Sequence, residues 1–517
     1  MAKSYDELIQ LSNHLFKCQY PMLTLYQTLA DHFYPERADF TITRNVGAEF
    51  SDNLVDSYPI IVRRDLGNSF DAMLRDGDWF NITTDAGNMD YSGRQWLEWA
   101  TKRQRNVMYQ RGAGYKRAVK QGDHDFATFG QCVISLEMNR QRNGLLYRNW
   151  HLRDCAWKED ENGEVGDITR KWKPTNLDLK TIFGENAVHG NVVKNCKDNP
   201  YQEVDVRHIV MTSEAYGDEQ YQQYPYISIF IDVTNAHIIE TKPLTNKYYA
   251  VPRFQTIAGQ PYAYSPATVA GLPDARCLQA MTHTLLEAGE RYARPPIAAT
   301  TQAVRSDIDL NPNGITWVDK EYDEKLGAAL RPIFQNTGGF PIGLEMRNDI
   351  KGILNSAFYL NKITLPPTDR DMTATEVVER MKQYRREALP LFAPVESEYN
   401  GQICEMTFDL MMRNNMFGSV HDIPQSLLGR DVEFKFESPL TQSEEERKVS
   451  QFSVTSQLLA EATQFDPATT ANINFDAALR DAIQGAGTPT FWLNDPQQVA
   501  QQRMMQQAQA AAQGAEQ

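Results

Sequence analysis

The sequence has no Cys-x-x-Cys pair. Its six cysteines, Cys18, Cys132, Cys155, Cys196, Cys277 and Cys404, are scattered over 517 residues. That argues against a zinc site by spacing and against a disulfide framework, and the six are read as reduced thiols of a cytosolic assembly. No run approaches the ~20 apolar residues of a membrane-spanning helix. The opening residues, Met1-Ala2-Lys3-Ser4-Tyr5-Asp6-Glu7, contain no apolar core of a secretion signal. A phosphate loop of the Gly-x4-Gly-Lys-Ser/Thr kind is missing, which argues against ATP hydrolysis, and so is His-Glu-x-x-His. The nine histidines are isolated. His283 falls on a polar helix face, where a solvated or interface imidazole is expected. Asp307/Asp309 and Glu444 to Glu446 read as solvated charge, because hydrolytic carboxylate pairs need set separations inside a cleft. These absences lead to a chain that is not an enzyme and uses no metal and no cofactor.

At this length one core is not enough, and two or more domains are expected. The formal charge is −15. Such a chain is a poor candidate for wrapping nucleic acid with its whole surface, but it is compatible with an acidic or mixed channel in which contact is weak.

Helical periodicity runs over residues 5–33 through Leu8, Leu11, Leu15, Leu25 and Leu29, with Pro21 expected to break the run. It returns over 58–76 and 93–121. The latter is rich in cations (Arg103, Arg105, Arg111, Lys116, Arg117, Lys120) and reads as a solvated face or subunit contact rather than a nucleic-acid patch. From Gly130 the period changes to two. Cys132 to Leu136 reads as a strand, and Asn162-Gly163 between two strand patterns marks a hairpin. Tyr226–Val233 and Ile238–Thr241 form another. Residues 130–260 are thus a strand-rich body. A helix at 274–294 carries Leu278, Met281, Leu285, Ala288 and Tyr292 on one side, and at ~1.5 Å per residue it is about 30 Å long. Residues 297–341 are turn-rich around a short strand, Ile315–Val318. A second helix spans 344–361, with Ile350, Ile353, Leu354 and Ala357 on one arc and Arg347, Lys351, Asn355 and Lys362 opposite. Phe358 falls among the polar group. Two helices of similar length around a compact insertion fit an antiparallel pair with the insertion at its far tip.

A loop follows (Lys362 to Asp371), and Thr373 and Glu376 have the spacing of a capping box that opens another helix. Pro390 and Pro394 interrupt it. Apolar periodicity resumes through Ile403, Met406, Leu410 and Met411, and Met381, Met406, Met411, Met412 and Met416 read as gap-filling core residues. Residues 443–462 and 476–484 look helical. The last 21 residues, rich in Gln and Ala, read as a frayed helix or a disordered tail.

Two segments carry a family resemblance. The first is Tyr264-Ser265-Pro266-Ala267-Thr268, then Leu272-Pro273-Asp274, a long amphipathic helix and Pro295-Pro296. The second is Leu365-Pro366-Pro367, then Met372-Thr373-Ala374-Thr375-Glu376-Val377. Their order and spacing resemble the head-to-tail connector (portal) proteins of short-tailed bacteriophages. The resemblance implies an α+β ring subunit with a mixed wing, a two-helix stem, a small α/β clip and a helical crown. On this sequence the wing falls at 1–264, the first stem helix at 265–296, the clip at 297–341 and the second stem helix at 342–361. The tunnel loop falls at 362–372, a long kinked helix returning to the wing at 373–440, and the crown and tail at 441–517. By the same resemblance Arg347, Lys351, Asn355, Lys362 and Arg370 are candidates for the DNA channel. Pro366, Pro367, Asp369, Thr373 and Glu376 would form the tunnel loop and its helix cap. The implied partners are other copies in a ring of about twelve, the capsid shell protein, a scaffolding protein, the terminase motor, a tail adaptor and double-stranded DNA, with no membrane. The implied place is the portal vertex of the virion, after assembly in the host cytoplasm. The rival readings are another virion structural protein, such as a tail adaptor or shell subunit, and a virion-borne hydrolase.

Overall fold

The computed structural model describes residues 2–45, 47–51, 54–75, 77–84, 91–294, 297–299, 330–332, 339–363, 395–419, 422–436, 442–465, 473–486 and short pieces up to 505. Helix α1 (Tyr5–Phe33) opens on a capping box in which the Glu7 N–H donates to Ser4 Oγ at 3.4 Å and the Ser4 N–H to Glu7 Oε2 at 2.7 Å. Pro21 does not break it, contrary to the periodicity reading. The proline costs roughly 3 kcal/mol. Burial of Leu15, Tyr26, Leu29 and Phe33 offsets that at about 1.5–3 kcal/mol per large apolar side chain. Gln19, buried two residues before the proline, donates to the carbonyls of Leu152 at 2.6 Å and Cys155 at 2.5 Å and clamps α1 to the body. Helix α2 (Tyr58–Leu74) leads to strand β1 (Phe80–Thr83). The expected helix over 93–121 is two helices, α3 (Tyr91–Met108) and α4 (Tyr115–Phe129). The first ends at Met108, and Gly114, at φ 69° in the left-handed region, directly precedes the second.

The strand-rich middle is as expected. Strands β2 (Val133–Met138) and β3 (Leu145–Trp150) form one hairpin, and β4 (Cys155–Glu159) and β5 (Val165–Trp172) form another around Gly163. Helices α5 (Asn176–Phe183) and α6 (Gly190–Asp198) follow. Next come β6 (Val206–Thr212), the single-turn α7 (Ser213–Tyr216), β7 (Tyr226–Asp232), β8 (His237–Leu244) and β9 (Tyr249–Ala250). Strands β4-β5-β6-β7-β8 make a five-stranded antiparallel sheet, and β3-β2-β9 make a smaller one. The alternation of period two gives the larger sheet two apolar faces. Leu8 of α1 packs on Ile209, Ile227, Ile229 and Ile231. Leu179 of α5 and Val192 of α6 pack with Val206 and Ile239 on the opposite face.

Helix α8 (Leu272–Ala293) follows a π-turn at Ala267–Gly271, and β10 (Ile297–Ala299) pairs antiparallel with β11 (Leu330–Pro332). Helix α9 (Gly339–Ala357) returns. Tyr359, at φ 58°, separates it from the short α10 (Leu360–Ile363). The chain then rejoins the N-terminal body. A π-turn at Val395–Gly401 leads into α11 (Gln402–Arg413), where Gln104 donates to the Cys404 carbonyl at 3.0 Å and Tyr147 Oη meets Thr407 Oγ1 at 2.7 Å. Strand β12 (Glu433–Phe436) pairs with β1, Phe80 opposite Phe436. Met406 and Met411 are buried, and Met412 and Met416 pack against the same core. Met381 and Ile315–Val318 lie outside the described residues. Helices α12 (Gln442–Phe465) and α13 (Phe475–Gly485) pack on each other at the C-terminal side. Among the described residues no helix is long and apolar enough to cross a membrane.

Candidate functional site

Helices α8 and α9 form an antiparallel hairpin, fixed by close approaches at both ends. Near its base, a Cβ on Gly271 would stand 2.8 Å from the Phe358 ring, and further out a Cβ on Gly343 would stand 2.6 Å from Leu285 Cδ2. The base is docked. Phe358 is fully buried against Phe33 of α1, with ring centres 5.4 Å apart, and Ala275, Leu278 and Leu354 are buried with it. The outer part is bare: Leu286 is 57% exposed, Tyr292 72%, Ile342 59% and Met346 52%.

The face of α9 that meets the body differs from the arc expected from periodicity. Lys351, Leu354, Asn355 and Phe358 recur at helical spacing and turn inward, while Ile353 is 52% exposed. The fully buried Phe358 ring, just past the end of α9, and Leu354, buried one turn before it, fix this rotation.

A polar joint sits on that inward face. Asp56, just before α2, accepts the Tyr58 N–H through Oδ1 at 2.9 Å, which helps start α2. Its Oδ2 lies 3.1 Å from the Lys351 ammonium and accepts Thr282 Oγ1 at 3.3 Å. Gln279 of α8 holds the same stretch by its backbone: its Oε1 accepts the N–H groups of Val55 and Asp56, both at 2.9 Å, and its Nε2 donates to the Asp56 carbonyl at 2.6 Å. The Lys351 ammonium also lies 4.8 Å from the centre of the Tyr58 ring. One short segment is thereby tied to both helices of the hairpin. The Asp56 and Lys351 side chains are 10% and 24% exposed, so the pair is shielded enough to hold geometry.

Of the other expected channel residues, Arg347 and Asn355 are half-buried on α9. Arg347 Nε is buried and has no hydrogen-bond partner among the described residues. Lys362 lies in α10. Arg370, Pro366, Pro367, Asp369, Thr373 and Glu376 lie outside the described residues. Asp56, Gln279 and Thr282 were not singled out from sequence. Asp56 had a readable signal, an acidic residue two positions before a helix start, but nothing local pairs it with Lys351.

Two further polar clusters are buried in the body. Arg75 bonds both carboxylate oxygens of Asp123 at 2.8 and 3.0 Å, donates from Nε to Asn400 Oδ1 at 2.8 Å and covers the Tyr399 ring at 4.6 Å. Burial pushes the Asp123 carboxyl up to about 6, against the pull of the Arg75 charge. The cluster fastens the returning segment to α2 and α4. In the sheet, His208 Nε2 meets Ser228 Oγ at 2.7 Å and its Nδ1 meets Tyr249 Oη at 2.5 Å, while its ring stacks on Phe230 at 4.0 Å. Burial, and then the Arg170 charge, hold His208 well below its ordinary value. Ser228, His208 and Tyr249 are all buried, so this hydroxyl–imidazole string bonds strands together and offers no surface to a substrate. Of the cations of 103–120, three have partners within the chain: Arg105 pairs with Asp78, Arg103 donates to the Met416 carbonyl at 3.2 Å, and Lys116 sits over Tyr109, while Arg111, Arg117 and Lys120 are exposed.

A family model described as "Bacteriophage head to tail connecting protein" matches residues 5–493. Over 441 residues the chain is 23% identical to a protein of Bordetella phage BPP-1 named "Probable portal protein", covering 81% of this chain and 76% of that one. It is 20% identical over 459 residues to the "Portal protein" of Salmonella phage epsilon15, covering 84% of this chain and 81% of that one.

Proposed function

This chain belongs to the bacteriophage head to tail connecting protein family, and from that premise we propose that it is a phage portal, the connector through which DNA enters and leaves the head. The observation that carries the reading is the family match over residues 5–493, joined by two portal relatives that align over most of the chain.

The mechanism is geometric. Copies joined by heterologous contacts close into a ring when the rotation closes, and a ring has a channel. Subunits of such a ring need apolar surface that is completed by a neighbour. The bare outer part of the α8–α9 hairpin, with Leu286, Tyr292, Ile342 and Met346, offers it. In this reading the hairpin is the stem, residues 297–341 the clip that meets tail adaptor and terminase, and 362–372 the tunnel loop. The body is the wing against the capsid shell, and the residues from 441 are the crown. Arg347, Asn355, Lys362 and Arg370 remain the channel-facing assignment. Lys351 becomes available to DNA only when its joint with Asp56 opens. Sparse, exchangeable cations suit a conduit, because tight phosphate binding would stall movement. The work of packaging comes from a separate motor.

Negative-stain imaging of the purified full chain tests this. A ring with a central hole is expected, of about twelve subunits by family resemblance. A shell or sleeve, or a monomer in sedimentation at micromolar concentration, would overturn it.

A further inference from the structure

Lys171 and Arg207 stand directly opposite one another on β5 and β6. Like charges in that register destabilise a sheet. Both lie on the face covered by α1. Thr169, two residues before Lys171, meets Ser12 at 2.8 Å. One turn along α1, the Phe16 ring lies 3.8 Å from the Lys171 ammonium and 5.4 Å from the Arg207 guanidinium. Both cations are half-buried, and their nitrogen atoms are not sealed from solvent. Neither forms an ion pair or a hydrogen bond among the described residues; Asp154 and Asp205 act on Lys171, and Asp205 on Arg207, only from a distance. Burial, then the charge of Arg207, lowers the Lys171 pKa, and burial lowers that of Arg207. Two cations are therefore held together, partly dehydrated, over one aromatic floor, with no counter-charge in contact among the described residues.

We propose that Lys171 and Arg207, with Phe16 as their floor, form a docking site for surface carboxylates of a second copy of this chain. Charge complementarity selects the occupant. The chain carries 67 acidic against 52 basic residues, so a second copy presents an excess of carboxylate. A heterologous contact needs unlike surfaces to meet. Duplex DNA is disfavoured, since two cations flanked by Asp154 and Asp205 make a small and mixed footprint for a phosphate backbone. The inference rests on the oligomeric reading above and adds the residues that join one copy to the next.

The test is a Lys171→Met/Arg207→Met double variant of the full chain, which keeps both stems over Phe16 and removes the opposed charges. Sedimentation velocity over a concentration series, at low and high salt, should show self-association weakened by about tenfold or more with a flatter salt dependence. The melting temperature of the subunit should stay level or rise, because a repulsion is gone. A Lys171→Glu variant should pair internally with Arg207, fold at least as well and associate as poorly as the double variant. Unchanged association in both variants would overturn this site and leave the ring standing. A melting temperature that falls together with association would mean that the pair only supports α1. Loss of binding to a short DNA duplex with self-association intact would make the pair a nucleic-acid contact instead. Wild-type chain that never associates would sink both this site and the ring.

Discussion

Replacing Asp56 by Ala should loosen the base of the helix hairpin without unfolding the body. Three contacts disappear: the Tyr58 N–H at 2.9 Å, Thr282 Oγ1 at 3.3 Å and the Lys351 ammonium at 3.1 Å. Loss of a helix-start acceptor costs about 0.5–2 kcal/mol. A hydrogen bond to a charged group contributes roughly 1.5–3 kcal/mol, taken at its low end here because the Lys351 side chain is 24% exposed and regains water. The sum is about 2–3.5 kcal/mol. Lys351→Met keeps the stem over Tyr58 and loses only the charge, so about 1 kcal/mol is expected. A global melt does not single out the base of the hairpin, so a local readout is needed. Hydrogen exchange by mass spectrometry is local. At about 1.4 kcal/mol per factor of ten, a loss of about 2 kcal/mol raises exchange roughly 30-fold in residues 54–60, 276–286 and 349–355, with the sheet unchanged. Identical exchange in wild type and both variants would refute the joint. A salt-dependent packaging defect in Lys351→Met with normal exchange would make Lys351 a DNA contact rather than a strut.

Phe358→Ala should cost about 3–5 kcal/mol and expose residues 339–363 to limited proteolysis, because its ring is the buried anchor of α9. Gly271→Ala should cost about 1–3 kcal/mol by overpacking against that ring, whereas Gly343→Ala meets only the end of the Leu285 side chain and should be nearly neutral in thermal shift. Stability should fall as pH drops below about 6.5, the ordinary imidazole value: His208 stays neutral in the fold while the unfolded chain takes up a proton. Asp123, raised to about 6, has the opposite sign at lower pH, so wild type is to be compared with His208→Gln, whose melting temperature should be lower but flatter between pH 7.5 and 5. Leu286→Ser with Tyr292→Ser should leave subunit folding intact and weaken ring formation in sedimentation, as both side chains are exposed in the single chain.

Local chemistry was legible in the order of residues. Asn162-Gly163 marks a turn whatever surrounds it, and the alternation in 226–244 places the strands that appear there. Amphipathic stripes located α8 and α9, and the Pro-bounded segments around them carried the family. These signals survive because they act within a few residues. They failed where a distant partner outweighed the local preference. Pro21 is overridden by packing against strands more than a hundred residues away, and the pairing of β1 with β12 joins chain ends that share no local pattern.

The sequence by itself determined the two helices of the hairpin, the Asn162-Gly163 turn, the lack of a membrane-length apolar run and the resemblance to a connector, since each rests on short-range periodicity or on ordered motifs. Only the tertiary structure decided which face of α9 turns inward, because that follows from where one ring, Phe358, finds a pocket beside Phe33. It also decided that Lys351 meets Asp56, that Arg75 meets Asp123 and Asn400, and that Lys171 and Arg207 face each other across β5 and β6. Charge acts through space at a few ångströms, and the residues that come that close are chosen by folding, not by their separation along the chain.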